Sequence, residues 1–326
     1  MSENKIYASL EKDGIKLVDE ELIEKYDNKK ISASLVTGMF DCPAKWAANT
    51  PLQNFLEIDL DNAMTRGSLF HRVMEHFFAL PKEERTKKNC YGLVKIALNE
   101  EEFSHFKDNK EAKLWLKIAI DNYFNMGAKP ENVDVSTFKN KSGLELMLIG
   151  NIPGVEREFI GFIDRLAEKD GKYIIEDWKT GAKAKKYDIN NRYEEGWPEA
   201  RQQILYSVIL NKEYRNNKET NQYDDIKPVK NARLIFPVAK EVININTKDK
   251  TLVRKAVTDT IEAEQIYNDC QEENLFDYKP SFLCHWCPLA KVCPAAKPPV
   301  KSVEKAINAY NSQPDKEELQ KGLYIK

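Results

Sequence analysis

The sequence lacks a run of about 18 apolar residues, so no segment of it is predicted to span a membrane. It also lacks an excess of basic residues. The net charge is −2 and the pI is about 6.2, which excludes a globally basic nucleic-acid-binding protein, so phosphate binding would need a local patch. The N-terminal stretch MSENKIYASLEKDG has no apolar core of a signal peptide. We therefore expect a cytoplasmic location and no membrane partner.

What is present is enough apolar sequence for a sizeable core. The chain has 326 residues, of which 42% are hydrophobic, which suffices for one large domain or two smaller ones. Composition and periodicity predict a leader at 1–30, a helical region at 31–143, a core at 144–245, a C-terminal helix with a cysteine cluster at 246–298, and a charged tail at 299–326. The predicted helices lie at 63–80, 89–105, 110–127, 198–210 and 251–268, the strands within 144–180 and at 232–238, and a polar loop at 211–228.

The segment 161–181, GFIDRLAEKDGKYIIEDWKTG, is typical of a β-hairpin. Its Asp-Gly pair at 170–171 is a turn signal between two runs that are rich in Phe, Ile and Tyr. Because side chains alternate along a strand, we expect Ile160, Phe162 and Asp164 to share one face of the first strand.

The second strand of this hairpin carries an acid and a lysine. Alternation places Asp177 and Lys179 on one face and directs the neighbouring Glu176 the other way. Two carboxylates and an ammonium on the inner side of a small sheet are expensive to desolvate. A divalent metal ion is the simplest partner that would stabilise them together with Asp164, and a solvated charged face is the alternative.

Three cysteines form a compact group near the C-terminus. Cys284, Cys287 and Cys293 have the spacing C-x2-C-x5-C, and a C-x2-C pair can bind one metal from a single turn. A fourth ligand is needed, and Cys42 is the best candidate because it precedes a proline, as Cys287 and Cys293 do. Zinc and an iron–sulfur cluster both accept four thiolates, so the spacing leaves both open.

Two helical residue pairs complete the pattern. Gly67 and His71 lie one turn apart, so the glycine would allow a close helix contact on the face over which the histidine projects. Gln202 and Tyr206 are separated by four residues on the predicted helix after the hairpin. Each pair taken alone is typical of structural or surface residues.

Taken in chain order, the motifs are GSLFH, GFIDR, EDWKTG, QQILY and C-x2-C-x5-C with an early lone cysteine. This set resembles the PD-(D/E)XK nuclease superfamily, in particular the branch that contains the RecB and AddB helicase–nucleases, the CRISPR-associated exonucleases with an iron–sulfur cluster, and stand-alone phage forms. The resemblance covers roughly residues 31–296. It implies an α/β fold with a restriction-endonuclease-like core, in which a small mixed sheet is flanked by helices, together with a helical N-terminal region and a C-terminal cysteine cluster.

The resemblance also implies a role for each matching residue. The implied catalytic residues are Asp164, Asp177, Lys179, Gln202 and Tyr206, the implied Mg²⁺ or Mn²⁺ ligands are His71, Asp164 and Asp177, and the implied ligands of a 4Fe–4S cluster, with zinc as the alternative, are Cys42, Cys284, Cys287 and Cys293. The backbone carbonyl of Trp178 is a further candidate metal ligand.

The implied function is that of a metal-dependent DNA exonuclease in recombination, repair or processing, acting on single- or double-stranded ends. Lys183, Lys185 and Lys186 are candidate phosphate contacts, with a solvated basic loop as the alternative. A catalytically inactive DNA-binding subunit and a zinc-stapled non-nuclease domain are the other interpretations. The sequence leaves open the polarity, the strand preference, endonuclease activity, the pathway, and whether the partner is a second copy or a helicase or recombination protein. A phage-encoded chain would act in the host cytoplasm.

Overall fold

The computed structural model describes residues 6–27, 29–52, 63–126, 133–181, 196–281, 284, 287, 290 and 293–296. Contacts divide the chain into two compact units, which comprise the described parts of 1–58, 154–157 and 258–326 and those of 59–153 and 158–257. The segment with Lys183, Lys185 and Lys186 lies outside the described residues.

The described elements alternate between helical and strand-rich stretches. The helices are α1 (Glu20–Asp27), α2 (Ala33–Asp41), α3 (Pro43–Asn49), α4 (Ala63–Ala79), α5 (Lys87–Ala97), α6 (Lys110–Asn125), α7 (Trp197–Thr220) and α8 (Lys250–Glu273). The strands are β1 (Ala8–Leu10), β2 (Gly14–Leu17), β3 (Asp134–Val135), β4 (Thr137–Phe138), β5 (Lys141–Ser142), β6 (Leu144–Gly150), β7 (Phe159–Lys169), β8 (Lys172–Trp178), β9 (Val229–Phe236), β10 (Glu241–Ile245) and β11 (Leu275–Asp277).

The first unit packs short helices on the antiparallel sheet β1–β2–β11. Its core contains Trp46, whose ring lies 5.4 Å from that of Tyr267 and 5.7 Å from that of Phe276. Cys42 lies between α2 and α3, where its sulfur accepts a hydrogen bond from Lys45 N at 3.5 Å. A proline at the first position of α3 fixes the start of that helix.

The second unit contains a six-stranded sheet in the order β10–β9–β8–β7–β3, with β6 also paired to β7. β8 and β9 are parallel and the other pairs are antiparallel, so the sheet is mixed. The parallel pair requires a crossover, which α7 supplies. The predicted turn of the β7–β8 hairpin is confirmed, since Asp170 and Gly171 both have positive φ, at 56° and 67°.

Helices α4, α5 and α6 form an apolar cluster in this unit. The helix predicted at 63–80 is confirmed, and its buried residues include Leu69, Phe70, Val73, Met74, Phe77 and Phe78. Trp178, at the end of β8, belongs to the same cluster, and its ring stacks on that of Phe78 at 5.7 Å. The core therefore fixes the end of β8, where the candidate site residues begin.

Two predicted helix boundaries were wrong. The helix predicted at 89–105 ends at Ala97 and is followed by a 3-10 turn at Glu101–Phe106, because Glu100 adopts extended backbone while its carboxylate binds Arg72 and His76. The loop predicted at 211–228 is helical as far as Thr220, since the Lys, Glu and Arg residues there favour helix.

Candidate active site

The site forms where strands β7 and β8 separate. The last pair in their antiparallel ladder is Arg165 with Glu176. Beyond it, Trp178 N donates a hydrogen bond to Asp164 Oδ2 at 2.7 Å, so a side-chain carboxylate accepts from the backbone in place of a strand carbonyl. Asp164 is thereby held at the separation, with only 8% of its surface exposed.

Helix α7 supplies a second side-chain hydrogen bond to the backbone at the site. Phe162 N donates to Tyr206 Oη at 3.2 Å, and Gln202 Nε2 donates to the same oxygen at 2.8 Å. The predicted pair Gln202 and Tyr206 therefore interact with each other. Tyr206 comes so close to the strand that a Cβ on Gly161 would lie 2.3 Å from its ring, which makes glycine necessary there.

The predicted acid and lysine of β8 form an ion pair. Lys179 Nζ lies 2.8 Å from Asp177 Oδ2, and Gln203 Nε2 donates to Asp177 Oδ1 at 3.1 Å. Burial lowers the pKa of Lys179, but the charges of Asp177 and Asp164 outweigh that effect and raise the pKa above its ordinary value. The two carboxylates therefore favour the cationic form of Lys179.

A second group of potential ligands lies on the other side of Asp164. Atoms of His71, Glu145 and Asp164 that can bind a metal all lie within 4.8 Å of one another. His71 Nε2 donates to the carbonyl oxygen of Trp178 at 2.8 Å, and its Nδ1 lies 3.5 Å from Asp164 Oδ2. With Nε2 occupied by this carbonyl, Nδ1 is the ring nitrogen that is left to bind a cation together with Asp164.

Glu145 was missed by the sequence analysis. It lies on β6 with a φ of 44°, inside the otherwise apolar run LELMLIG. A single acid within a strand of that composition was the one available signal, and its proximity to Asp164 depends on the pairing of β6 with β7. Gln203, which holds Asp177, was missed for the same reason, since only the packing of α7 brings it there.

The carboxylates of Glu145 and Asp164 lie close together, and the pKa values of both are raised. Burial, followed by the charge of Asp164, raises the pKa of Glu145 to about 7. Burial, followed by the charge of Asp177, raises the pKa of Asp164 to about 6, while His71 opposes the rise. Crowded acids of this kind suit a divalent cation, which would stabilise their ionised forms.

A cavity of about 640 Å³ opens on this group and is lined by His71, Glu145 and Lys179 among others. Helix α4 borders it at Gly67, where a Cβ would lie 2.9 Å from Thr180 Oγ1. The close approach expected of this glycine is therefore present, and it brings the histidine one turn later to the cavity.

Glu176 lies in a buried ion network behind the site. Its carboxylate binds Arg165 and Arg233, and it has no exposed surface. The Arg165 guanidinium also lies 3.9 Å from the ring centre of Phe78. Of the two adjacent acids on β8, it is thus Asp177 that lies next to Lys179, as alternation predicts.

The predicted cluster cysteines all belong to the first unit. Cys42 Sγ accepts from Lys279 N at 3.4 Å, and Cys284 Sγ accepts from Ser281 N at 3.4 Å. Burial raises the pKa of the Cys293 thiol, and the thiols of Cys42 and Cys284 raise it further. Among the described residues, no three thiols lie within 4.8 Å of one another, so the geometry does not itself support a cluster.

Fold and site together define an α/β protein with an acidic, lysine-containing centre suited to a divalent cation. A family model described as "PD-(D/E)XK nuclease superfamily" matches residues 30–294. The chain belongs to the PD-(D/E)XK nuclease superfamily, as its motifs predict, and its mixed sheet flanked by helices is a restriction-endonuclease-like fold. Its general function is that of a nuclease that acts on DNA with a divalent metal.

Two solved structures are similar to this chain. The chain is similar to a "Putative exonuclease" from Eubacterium rectale, with 13% identity and a TM-score of 0.45, over 90% of this chain and 99% of that one. It is also similar to SSO0001, with 11% identity and a TM-score of 0.35, over 85% and 93% of the two chains. No curated protein matches it.

None of the helices in the described residues is long and apolar enough to cross a bilayer.

Proposed function

We propose that this chain is a Mg²⁺- or Mn²⁺-dependent DNA exonuclease that hydrolyses phosphodiester bonds at DNA ends during recombination, repair or processing. One observation carries the proposal: Glu145, Asp164 and His71 converge beside the ion pair of Asp177 and Lys179. Oxygen-rich ligand sets with one imidazole suit hard divalent ions, and the nitrogen shifts the preference towards Mn²⁺.

In this mechanism, His71, Glu145, Asp164 and Asp177 would hold one or two cations. A bound Mg²⁺ or Mn²⁺ supplies positive charge to the phosphodiester and acidifies the attacking water. Gln203 fixes Asp177 by its hydrogen bond, which keeps that carboxylate directed at the centre.

Lys179 supplies the fixed positive charge of the site. Its ammonium lies on the cavity wall and would orient the attacking water or stabilise the charge that develops on the phosphate oxygens. It also offsets the charge of Asp177 and Asp164 before a metal binds. A lysine held in its cationic form is suited to charge stabilisation rather than to accepting a proton.

Gln202 and Tyr206 would position the substrate. Both hydrogen bonds recorded for Tyr206 Oη use the oxygen as acceptor, so neither consumes the hydroxyl proton. Because Tyr206 is almost fully buried, the pair would act on the substrate indirectly, by holding the strand that carries Asp164. Burial raises the pKa of Tyr206 to about 12, so the hydroxyl remains a donor at neutral pH.

The four cysteines would hold a 4Fe–4S cluster with a structural role. Backbone N–H groups directed at Cys42 and Cys284 fit thiolate ligands. Zinc also accepts four thiolates and is the alternative. Iron content and an absorption band near ~400 nm in protein purified without oxygen test this assignment; loss of both in Cys284→Ser is expected, and stoichiometric zinc would contradict it.

The function is tested by digestion of end-labelled linear DNA and of circular DNA with Mg²⁺, Mn²⁺ or EDTA. We expect metal-dependent loss of linear DNA and survival of circles, and a rate at least ~100-fold lower in Asp177→Asn and Lys179→Ala. Asp170→Asn and Lys172→Ala are matched controls from the same hairpin, at exposed positions. Cleavage of circles would contradict the exonuclease assignment, and full activity in Asp177→Asn would contradict the site.

A further inference from the structure

The face of the sheet that carries the carboxylates continues as an apolar surface. The register of β6 with β7 places Glu145 opposite Asp164, between the pairs Leu144–Arg165 and Leu146–Ile163. Residues two apart on a strand share a face and are about 7 Å apart. From the site outward, the same face therefore carries the cross-strand pairs Glu145–Asp164, Met147–Phe162 and Ile149–Ile160.

These apolar side chains are exposed to an unusual degree for the middle of two strands. Phe162 is 52% exposed, Met147 46% and Ile149 38%, whereas Leu146 and Ile163 on the opposite face are almost fully buried. An antiparallel sheet with one solvated face normally alternates apolar and polar residues. An aromatic ring and two long aliphatic chains on the open face indicate a ligand surface.

We propose that the pair Phe162 and Met147 binds unpaired nucleobases of the DNA strand whose phosphate lies at the carboxylates; this inference rests on the proposed function. On this face, the pair lies next to Glu145 and Asp164, two residues away on each strand. A phosphodiester at those acids therefore places its neighbouring nucleotide over the pair. The pair carries no charge and offers an aromatic face, which fits a base rather than a phosphate.

The position of Phe162 is fixed from the other side of the strand. Its backbone N–H is bound by Tyr206, and the preceding Gly161 allows the tyrosine to pack directly against the chain. A ring on a fixed backbone next to the cleavage site is a stacking platform. The faces of a base inside a duplex are covered by its neighbours, so the preferred substrate is a single-stranded or frayed end.

Binding can be measured without cleavage, by fluorescence anisotropy in EDTA. The probe is a labelled oligodeoxythymidylate, used intact or with abasic tetrahydrofuran residues at its 3′ or its 5′ end. We expect Phe162→Ala to bind the intact probe about 5- to 100-fold more weakly than wild type does. The affinity of wild type should fall by a comparable factor when the probe lacks bases at the end that enters the site. The affinity of Phe162→Ala, which is already reduced, should change little between the intact and the abasic probe.

Matched variants separate stacking from general effects. Phe162→Trp should keep the affinity and the sensitivity to abasic residues, and Leu114→Ala, which removes a side chain that is 60% exposed on α6, should change neither. Three results would overturn the proposal. The first is an equal loss of affinity in Phe162→Ala for the intact and the abasic probes, and the second is no measurable binding by wild type. The third is a wild-type dimer in sedimentation that Phe162→Ala dissociates, which would assign the face to a second copy. Absence of hydrolysis by wild type would instead contradict the proposed function, because the binding comparison does not depend on cleavage.

Discussion

The half-buried carboxylate of Glu145 should make the metal-free protein less stable at alkaline pH. Its pKa is raised from 4.5 to about 7, chiefly by burial, so the folded protein keeps a proton that the unfolded chain has lost between those values. The free energy of unfolding therefore falls as the pH rises through this window, and the contribution is fully present only below about pH 4.5. A pKa difference of that size corresponds to at most about 3 kcal/mol at pH 8, and solvent screening of this half-buried group lowers the contribution below that limit.

Glu145→Gln removes this titration while retaining a side chain of similar size. In thermal unfolding with EDTA, we expect the variant to be more stable than wild type at pH 8 by about 1–3 kcal/mol, and to differ little at pH 4.5. Addition of Mg²⁺ at pH 8 should stabilise wild type more than the variant. Glu219→Gln, at an exposed position near the end of α7, should have the same effect at both pH values. A Glu145→Gln protein no more stable than wild type at pH 8 would refute the placement of this partly buried acid beside Asp164.

Three further predictions concern the supports of the site. Gly161→Ala should lower stability by about 1–3 kcal/mol in thermal unfolding because its Cβ would meet the Tyr206 ring, whereas Gly92→Ala, with nothing within 4 Å, should raise it by about 0.5–1 kcal/mol; equal effects would contradict the close packing. Glu176→Gln should cost about 3–5 kcal/mol in denaturant unfolding because the buried Arg165 and the partly buried Arg233 lose this carboxylate, and a loss below ~1 kcal/mol would contradict the network. Lys179→Met should abolish cleavage yet leave the Mg²⁺-induced rise in Tm, and loss of that rise would make the lysine necessary for metal binding.

The hairpin was the part of the site that could be predicted from sequence, and the reason is local. A two-residue turn and strict alternation determine which side chains share a face, so Asp177 could be distinguished from Glu176 without knowledge of the fold. His71 was singled out because it lies one helical turn after Gly67, and its role as a metal ligand came from the resemblance of the GSLFH motif to the nuclease family.

Glu145 and Gln203 could not be predicted because their position depends on contacts between distant segments. The pairing of β6 with β7 brings Glu145 to Asp164, and the packing of α7 brings Gln203 to Asp177. No local period encodes either contact. The extent of α7 was predicted wrongly although the signal for it is local. The second half of this helix is polar, so it contains helix-forming residues but lacks the apolar periodicity from which the other helices were predicted.

The separation of β7 from β8 accounts for the location of the whole site. Two strands that part leave backbone N–H groups without ladder partners, and a buried N–H without a partner costs about 1–3 kcal/mol. Here the N–H of Trp178 is satisfied by Asp164, and Tyr206 accepts a hydrogen bond from the N–H of Phe162, so the groups proposed for catalysis also hold the backbone. Asp164 thus has a structural partner before any metal arrives. This hydrogen bond keeps Asp164 where the strands separate, even though burial opposes its charge. From that position, its carboxylate lies near both Glu145 and the Asp177–Lys179 pair.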